Sequence, residues 1–300
     1  MGNQLFCYAF ALALQNAGHE VFVDTSLYKN KLIRGGVDLC HNGLETEHLF
    51  GLKLAEASDA DVRRLSTSAE GLLNRIRRKY FTKKTHYIDT VFSYTPEIFQ
   101  DTQERYLEGF WQTEKYFLPI EKDIRRLFTF RPPLSEQSAA LKDEIHSYKD
   151  KGEDFSCASI HVRRGDYLAT QSLHVCTETY YNNAIVYVQK KYPQAVFYVF
   201  SDDLDWCRKN LDFCGAKAIF VGWNTGSDSW QDMALMSLCR VNIIPNSSFS
   251  WWAAWLNNNP DKLVIAPSVW NRRELEYKDS YYKYNYSDIV PESWIRLPID

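Results

Sequence analysis

The chain has 300 residues, a formal net charge of -3 at neutral pH and 45% hydrophobic residues. That length suffices for one large domain or two ordinary ones, and the near-neutral charge excludes the global basic field of nucleic-acid-binding proteins. The 7 cysteines form no C-x-x-C pair and no metal-finger spacing. Together with the lack of a signal peptide and of a long apolar span, they predict a cytoplasmic protein with reduced thiols and no transmembrane segment.

One local run, Arg75 to Lys84 ("RIRRKYFTKK"), is strongly basic. One interpretation is peripheral contact with an anionic membrane surface, or with the substrate of a membrane-bound pathway. The other is a solvated helix face or loop. Neither interpretation involves nucleic acid.

The chain opens on a helical pattern. Apolar residues repeat at helical spacing after Asn3, which can cap the helix, and Gly18 closes it. The following "HEVFVD" predicts a strand, and a helix that leads into a strand is the second half of a βαβ unit. The first strand of that unit would precede residue 1, and it is absent. A truncated chain, a misassigned start codon and a fold that begins without this strand each explain its absence.

Two adjacent prolines mark a linker, "RPPLSEQ", at Arg131 to Gln137. Before it, from about residue 30 to 105, charged irregular segments mix with short helical pieces and give no chemistry. We therefore place a domain boundary near 130–152. We expect an N-terminal domain over residues 1–150 and a C-terminal domain over residues 151–300.

Strand and helix patterns alternate regularly after residue 152. The predicted strands are the apolar runs FSCASIHV, AVFYVFSDD, AKAIFVG, VNIIP and KLVIAP. Short apolar runs of this kind are typical of strands buried on both faces. The alternation therefore predicts an α/β fold with a parallel, doubly wound sheet.

Polar clusters follow three of these strands, and ligands bind outside the carboxyl ends of such strands. The clusters contain Arg163 and Arg164, then Asp202, then Asn246, Ser247 and Ser248. Forked arginine donors and the free N–H groups of a helix start together suit a diphosphate. Asp232, on the preceding helix, can accept two parallel N–H bonds from a guanine edge. The alternative is that the arginines form salt bridges with Asp166, Asp202 or Asp203 and bind nothing.

Five motifs carry a family resemblance: "GNQLFCYAFALAL", "YLEGFWQTEKYF", "HVRRGDY", "FYVFSDD" and "NSSFSWWAAWL". In this order the chain resembles the bacterial α-1,2-fucosyltransferases of glycosyltransferase family 11 over nearly its whole length. The resemblance implies a GT-B-type fold of two Rossmann-like domains with doubly wound parallel sheets. It implies GDP-β-L-fucose as donor, a terminal β-galactoside as acceptor, inversion at fucose C1, and neither cofactor nor metal.

The resemblance also implies roles in the C-terminal domain, which would bind GDP-fucose. Arg163 would bind the β-phosphate and His161 would lie beside the nucleotide. Asp232 matches the aspartate that binds guanine in related fucosyltransferases. Ser247 and Ser248 match the phosphate-binding serines.

In the N-terminal, acceptor-side domain, Asn3 and Gln4 match a G-N-Q turn that faces the donor sugar. Family members carry a strand and a GG-x-GNQ turn before the helix, of which only Gly2 to Gln4 remain here. Cys7 stands where the family usually has glutamine. The absent strand puts the placement of the acceptor in question.

The expected reaction is displacement at fucose C1, with Arg163 and the start of the serine-motif helix stabilising the charge on the departing GDP. The sequence does not identify the general base. Asp166 is a candidate, but it and Arg164 can instead hold the loop. A mechanism without a base, in which Asn3 orients the acceptor, is the other option.

Two further hypotheses belong to other classes. A metal-dependent glycosyltransferase would use Asp203 and Asp205, which resemble a D-x-D site, and would be sensitive to EDTA. A non-catalytic nucleotide-sugar or glycan-binding protein would bind GDP-fucose and form no product.

Overall fold

A computed structural model describes residues 1–29, 33–34, 37–38, 42–67, 81–148, 152, 154–273 and 285–300. The chain forms two compact units. The N-terminal unit contains Asn3–Thr129 and Ser280–Asp288, and the C-terminal unit contains Met1–Gly2, Phe130–Asp279 and Ile289–Asp300. The division after Thr129 differs from the predicted boundary at 150/151, because the predicted linker and the helix after it pack within the C-terminal unit. Most of the basic run, residues 75–80, lies outside the described residues.

The N-terminal unit combines short helices with short strands. Its α-helices are α1 (Gly2–Asn16, which begins in the C-terminal unit), α2 (Ser26–Lys29), α3 (Thr46–Phe50), α4 (Asp59–Leu65) and α5 (Glu121–Leu127), its 3-10 helices are Pro96–Gln100, Glu114–Tyr116 and Leu118–Ile120, and its strands are β1 (Ile33–Arg34), β2 (Val37–Asp38), β3 (His86–Ile88) and β4 (Tyr106–Glu108). β1 and β2 pair antiparallel, whereas β3 and β4 pair parallel. Helix α1 ends as predicted at a left-handed glycine, Gly18, with φ of 95°.

Within the described part of the chain, the predicted strand at residues 19–24 forms one isolated parallel bridge, between Val23 and Glu56. This segment and β4 both line a cavity of about 710 Å³. The predicted strand is therefore reduced to an isolated bridge in the structure.

The C-terminal unit contains a six-stranded parallel sheet. Its helices are α6 (Glu136–Ser147), α7 (Gly165–Leu168), α8 (Glu178–Lys191), α9 (Leu204–Asn210), the 3-10 turn Gly226–Asp228, α10 (Trp230–Met236) and α11 (Ser248–Leu256), and its strands are β5 (Phe155–Val162), β6 (Gln194–Ser201), β7 (Ala218–Val221), β8 (Val241–Ile243), β9 (Leu263–Pro267) and β10 (Ile295–Leu297). The strand order is β10-β9-β8-β5-β6-β7. The predicted α/β class with a parallel, doubly wound sheet is confirmed in this unit.

Burial on both faces explains why these strands were visible in the sequence. Every residue of β5 except Phe155 is buried, and β9 is buried throughout. Helix α8 begins at Thr177 as predicted, because the Thr177 hydroxyl accepts a hydrogen bond from the N–H of Tyr180. The sixth strand, β10, was not predicted: it is three residues long, and its central Arg296 is exposed.

No described helix combines the length and the apolar character needed to cross a bilayer.

A buried amide joins β8 to its neighbours. The Nδ2 of Asn242 donates to Ser159 Oγ (2.8 Å) and to the carbonyl of Met236 (2.7 Å), and its Oδ1 accepts from Asn257 Nδ2 (2.8 Å). Asn242 is 0% exposed. The amide therefore satisfies polar groups of β5, of helix α10 and of the segment after α11.

Replacing Asn242 by leucine should lower the free energy of unfolding by about 3 kcal/mol, because several buried polar groups would lose their hydrogen-bond partners. Asn183→Leu on the exposed face of α8 is the control and should change it by less than about 0.5 kcal/mol. Urea denaturation measures both. Equal unfolding free energies for the two variants would show that the buried network does not stabilise the sheet.

Candidate functional site

The predicted polar clusters lie on one edge of the C-terminal sheet. β5 is flanked by β8 on one side and β6 on the other, so the chain order reverses at this point. Such a switch point is where open α/β sheets bind ligands, at the carboxyl ends of the strands. The predicted residues of this unit all follow or end strands at that edge, or begin the next helix: His161, Arg163, Arg164, Asp202, Asp232, Asn246, Ser247 and Ser248.

Two carboxylates hold the guanidinium of Arg163. Its Nη2 lies 2.8 Å from Asp166 Oδ1, and its Nη1 lies 3.1 Å from Asp202 Oδ2. The side chain is 33% exposed, so the group is fixed at the strand end and is still accessible. These are ion pairs of the kind that the salt-bridge alternative predicted. A phosphate bound by Arg163 would have to share or replace them.

The neighbouring Arg164 and Asp202 shape the loop. The Nε of Arg164 lies 3.0 Å from Asp203 Oδ2, and its guanidinium carbon is 4.2 Å from the centre of the Trp206 ring. Asp202 accepts hydrogen bonds from the backbone N–H of Arg164 (2.9 Å) and of Gly165 (3.2 Å). This supports the interpretation in which Arg164 holds the loop, and it gives Asp202, predicted to contact the donor, the same structural role.

Asp203 and Asp205 do not form a pair of free carboxylates. Asp203 caps α9 by accepting from the N–H of Trp206 (3.1 Å) and also pairs with Arg164. Asp205 is 98% exposed and lies 3.1 Å from Arg208. A metal shared by the two carboxylates would have to break both ion pairs. Among the described residues, no group of three His, Cys, Asp or Glu side chains is placed to hold a metal ion.

Helix α11 begins at this edge with Ser247 as its N-cap and Ser248 as its first residue. The Ser247 side chain makes no capping hydrogen bond to the helix. Gly2 packs directly against this turn, since a Cβ atom at Gly2 would lie 2.6 Å from the carbonyl carbon of Ser248. A glycine is thus required there for the backbone to approach the start of α11.

Asn246 has a structural role that differs from the predicted donor contact. Its Nδ2 donates to the carbonyls of Leu173 (3.0 Å) and Trp270 (2.9 Å), and its own carbonyl accepts from the Tyr167 hydroxyl (3.2 Å). Both amide hydrogens are therefore engaged within the protein. The residue joins three segments around the start of α11.

His161 is buried at the end of β5, with its Nδ1 lacking a hydrogen-bond partner among the described residues. Burial and the charge of Arg163 lower its pKa to about 3, so the imidazole is neutral at physiological pH. Its ring centre lies 5.5 Å from that of Phe249. A neutral imidazole with an unused nitrogen can accept or donate one hydrogen bond, depending on its tautomer.

Asp232 lies in the first turn of α10, and sequence reasoning missed its partner. Asn224 Nδ2 donates to Asp232 Oδ1 (2.7 Å), and Asn224 Oδ1 accepts from the Ser138 hydroxyl (3.0 Å), which in turn accepts from Trp223 Nε1 (3.1 Å). Burial raises the pKa of Asp232 to about 7. Its Oδ2 has no partner in the described part of the chain. One oxygen is thus fixed and the other is available.

The two predicted residues of the N-terminal unit differ from each other. The side chain of Gln4 donates to the carbonyl of Gly43 (2.7 Å) and accepts from the N–H of Glu45 (2.9 Å), so it holds the 43–45 loop. Asn3 is exposed, and its Oδ1 accepts from Gln112 Nε2 (2.8 Å). Asn3 belongs to α1 and is not its cap. Its predicted role toward the acceptor stays a prediction.

Comparison with known proteins gives the family. The model of glycosyl transferase family 11 matches residues 68–290. The chain is 31% identical to an α-1,2-colitosyltransferase of Escherichia coli over 99% of this chain and 96% of that protein. It is 29% identical to galactoside α-(1,2)-fucosyltransferase 1 of Lagothrix lagotricha over 50% of this chain and 42% of that protein. A mutant of Arabidopsis thaliana FUT1 in complex with GDP aligns with a TM-score of 0.41 and 12% identity over 89% of this chain and 67% of that chain. The chain belongs to glycosyl transferase family 11.

Proposed function

We propose that the protein transfers L-fucose from GDP-β-L-fucose to the 2-hydroxyl of a terminal β-galactoside, with inversion at fucose C1 and without a metal ion. The observation that carries the proposal is the position of Arg163, held at the switch point of the C-terminal sheet beside the start of α11. The names of two similar proteins support it: one is an α-1,2-colitosyltransferase and the other a galactoside α-(1,2)-fucosyltransferase.

The proposed chemistry is electrostatic. The oxygen of the acceptor hydroxyl bonds to C1 while the bond from C1 to the diphosphate oxygen breaks. The electron pair of the broken bond stays on GDP, and the hydroxyl proton passes to water or to a base, for which Asp166 is the candidate. Arg163 and the N–H groups in the first turn of α11 stabilise the charge that develops there. Asp166 and Asp202 orient the guanidinium before the donor binds, and a phosphate that shares Arg163 with them finds its donor already in place.

Asp232 would bind the guanine base of GDP. A guanine edge offers two parallel N–H donors, and an ionised carboxylate accepts both. Asn224 fixes one oxygen of that carboxylate, which orients it before the nucleotide binds. His161 would lie beside the nucleotide as a neutral imidazole, and its Nδ1 has no hydrogen-bond partner among the described residues. The N-terminal unit would bind the acceptor.

The first experiment is calorimetric titration of GDP-fucose in EDTA, with UDP-galactose as the control. It is followed by product analysis with lactose as a simple β-galactoside. We expect saturable binding of GDP-fucose alone and formation of a fucosylated trisaccharide. Since one relative is a colitosyltransferase, the corresponding colitose donor is assayed in parallel.

A different result would refute each part of the proposal. No binding of GDP-fucose by folded protein would refute the donor site. Binding without product would favour the non-catalytic hypothesis. Activity that EDTA abolishes and a divalent metal restores would favour the Asp203/Asp205 hypothesis, and a preference for the colitose donor would reassign the sugar.

A further inference from the structure

Another arginine, Arg272, follows β9 in the C-terminal unit. β9 pairs with β8, the strand that leads into the start of α11, so Arg272 comes after the carboxyl end of the neighbouring strand. Open α/β sheets bind their ligands outside the carboxyl ends of the strands. Arg272 is thus a candidate ligand-binding residue that the sequence motifs did not include.

Two hydrogen bonds to the backbone of the 172–174 loop fix Arg272. Its backbone N–H donates to the carbonyl of Ser172 (3.0 Å), and its side-chain Nε donates to the carbonyl of His174 (2.9 Å). The terminal nitrogens Nη1 and Nη2 have no acceptor among the described residues, and no described carboxylate pairs with the guanidinium. The residue is half-buried. Holding a charge there without a counter-charge is costly unless an anion supplies one.

The 172–174 loop and the segment after β9 meet just before α11. Asn246 joins them, because its side chain donates to the carbonyls of Leu173 and Trp270. Asn246 directly precedes Ser247, the N-cap of α11. The guanidinium of Arg272 is therefore anchored to the same edge as the first turn of α11, whose N–H groups favour an anion.

The charge balance at this edge leaves room for a further cation. The two arginines of the HVRRGDY motif form ion pairs with three aspartates, Asp166, Asp202 and Asp203. Two positive charges thus face three negative ones, and this cluster alone does not neutralise a diphosphate. None of these aspartates pairs with Arg272, so its charge is available to a ligand.

His174 reports a positive field between two arginines. Burial and the charges of Arg164 and Arg272 lower the pKa of His174, so its imidazole is neutral near pH 7. Both guanidinium charges therefore act on the 172–174 loop. A site in a field of this sign attracts anions.

We propose that Arg272 binds a phosphate group of the nucleoside diphosphate donor, together with Arg163 and the first turn of α11. This inference rests on the proposed function and adds a binding residue to it. Because the backbone of the 172–174 loop orients the guanidinium beforehand, the two terminal nitrogens can donate parallel hydrogen bonds to phosphate oxygens. The same charge would stabilise GDP as it departs.

Calorimetric titration of wild-type and Arg272→Gln protein with inorganic pyrophosphate and with GDP, both in EDTA, tests the proposal. Glutamine removes the charge, but its amide can still donate to the carbonyl of His174. We expect the affinity for both ligands to fall by about tenfold or more, the size of a lost hydrogen bond to a charged group. The thermal unfolding midpoint should not change.

Arg273→Gln is the matched control. It removes the same charge from the next residue, which is exposed, and it should bind both ligands within about twofold of wild type. Arg272→Lys keeps the charge and loses the fork, so it should recover part of the affinity that Arg272→Gln loses. An equal loss in the lysine and glutamine variants would show that the shape of the loop matters and not the charge, and would overturn the proposal.

The remaining outcomes are distinct. Affinities of Arg272→Gln within about twofold of wild type would overturn the proposal, as would a loss for pyrophosphate with GDP binding unchanged, which indicates a separate anion site. If Arg272→Gln does not fold, Arg272→Lys is compared with wild type and should bind pyrophosphate at least about threefold more weakly; wild-type affinity would refute the contact. Failure of the proposed function appears separately, as wild-type protein that binds GDP with the help of Arg272 and forms no fucosylated product.

Discussion

Replacing Arg163 by alanine is expected to reduce transfer by at least about a thousandfold, at the upper end for a donor that stabilises developing charge. The loss should exceed that of one hydrogen bond because Asp166 and Asp202 would remain at the site without their cation. Two carboxylates would then face a diphosphate and repel it. We expect weaker GDP binding by calorimetry and a nearly complete loss of product, with an unchanged thermal unfolding midpoint.

The charge argument has its own test. Adding Asp166→Asn to Arg163→Ala removes one of the two carboxylate charges that are left without their arginine. The double variant should therefore regain part of the lost GDP affinity. Arg208→Ala is the matched control, since Arg208 also pairs with an aspartate but has an exposed side chain on α9. Turnover by Arg163→Ala at the wild-type rate would refute the phosphate role. A double variant no better than the single one would show that the carboxylates do not repel the donor.

The sequence predicted the C-terminal sheet well because most residues of β5, β6, β8 and β9 are buried. Five apolar runs gave five strands, and the helix starting after Thr177 was placed correctly by its capping residue. β10 was not predicted because a strand of three residues with an exposed central arginine is too short to give a continuous apolar run. The division between the units could not be deduced either, since the prolines of the linker mark a break in secondary structure and not the packing of α6.

The sequence predicted where the site lies, but not which of its side chains form ion pairs and hydrogen bonds with one another. Parallel strands bring their carboxyl ends together, so sequence order alone places Arg163, Ser247 and Asp232 on one edge. Which acid pairs with which arginine depends on side-chain distances that no spacing rule supplies. Asn224 was missed for the same reason, because its role depends on its contact with the side chain of Asp232.

Asp232→Asn is expected to weaken GDP binding by at least about 100-fold and to create affinity for xanthosine diphosphate. Guanine presents two donors, and an asparagine can accept only one of them while its NH2 group opposes the other. Xanthine has an oxygen in place of the 2-amino group, so it offers one donor and one acceptor and matches the amide. Calorimetric titration of both nucleotides with both proteins measures the exchange.

The pH dependence of GDP affinity distinguishes guanine binding by Asp232 from a purely structural role of this residue. The pKa of Asp232 is raised to about 7 by burial, and only the ionised form accepts both guanine donors. Wild-type GDP affinity should therefore fall as the pH drops below about 7, whereas xanthosine diphosphate binding by Asp232→Asn should not show this step. Asn224→Ala, which frees the carboxylate from its 2.7 Å partner, should weaken GDP binding without reversing the preference between the two bases. An Asp232→Asn protein that keeps its GDP affinity, or loses it without gaining xanthosine diphosphate, would show that this carboxylate does not contact the base.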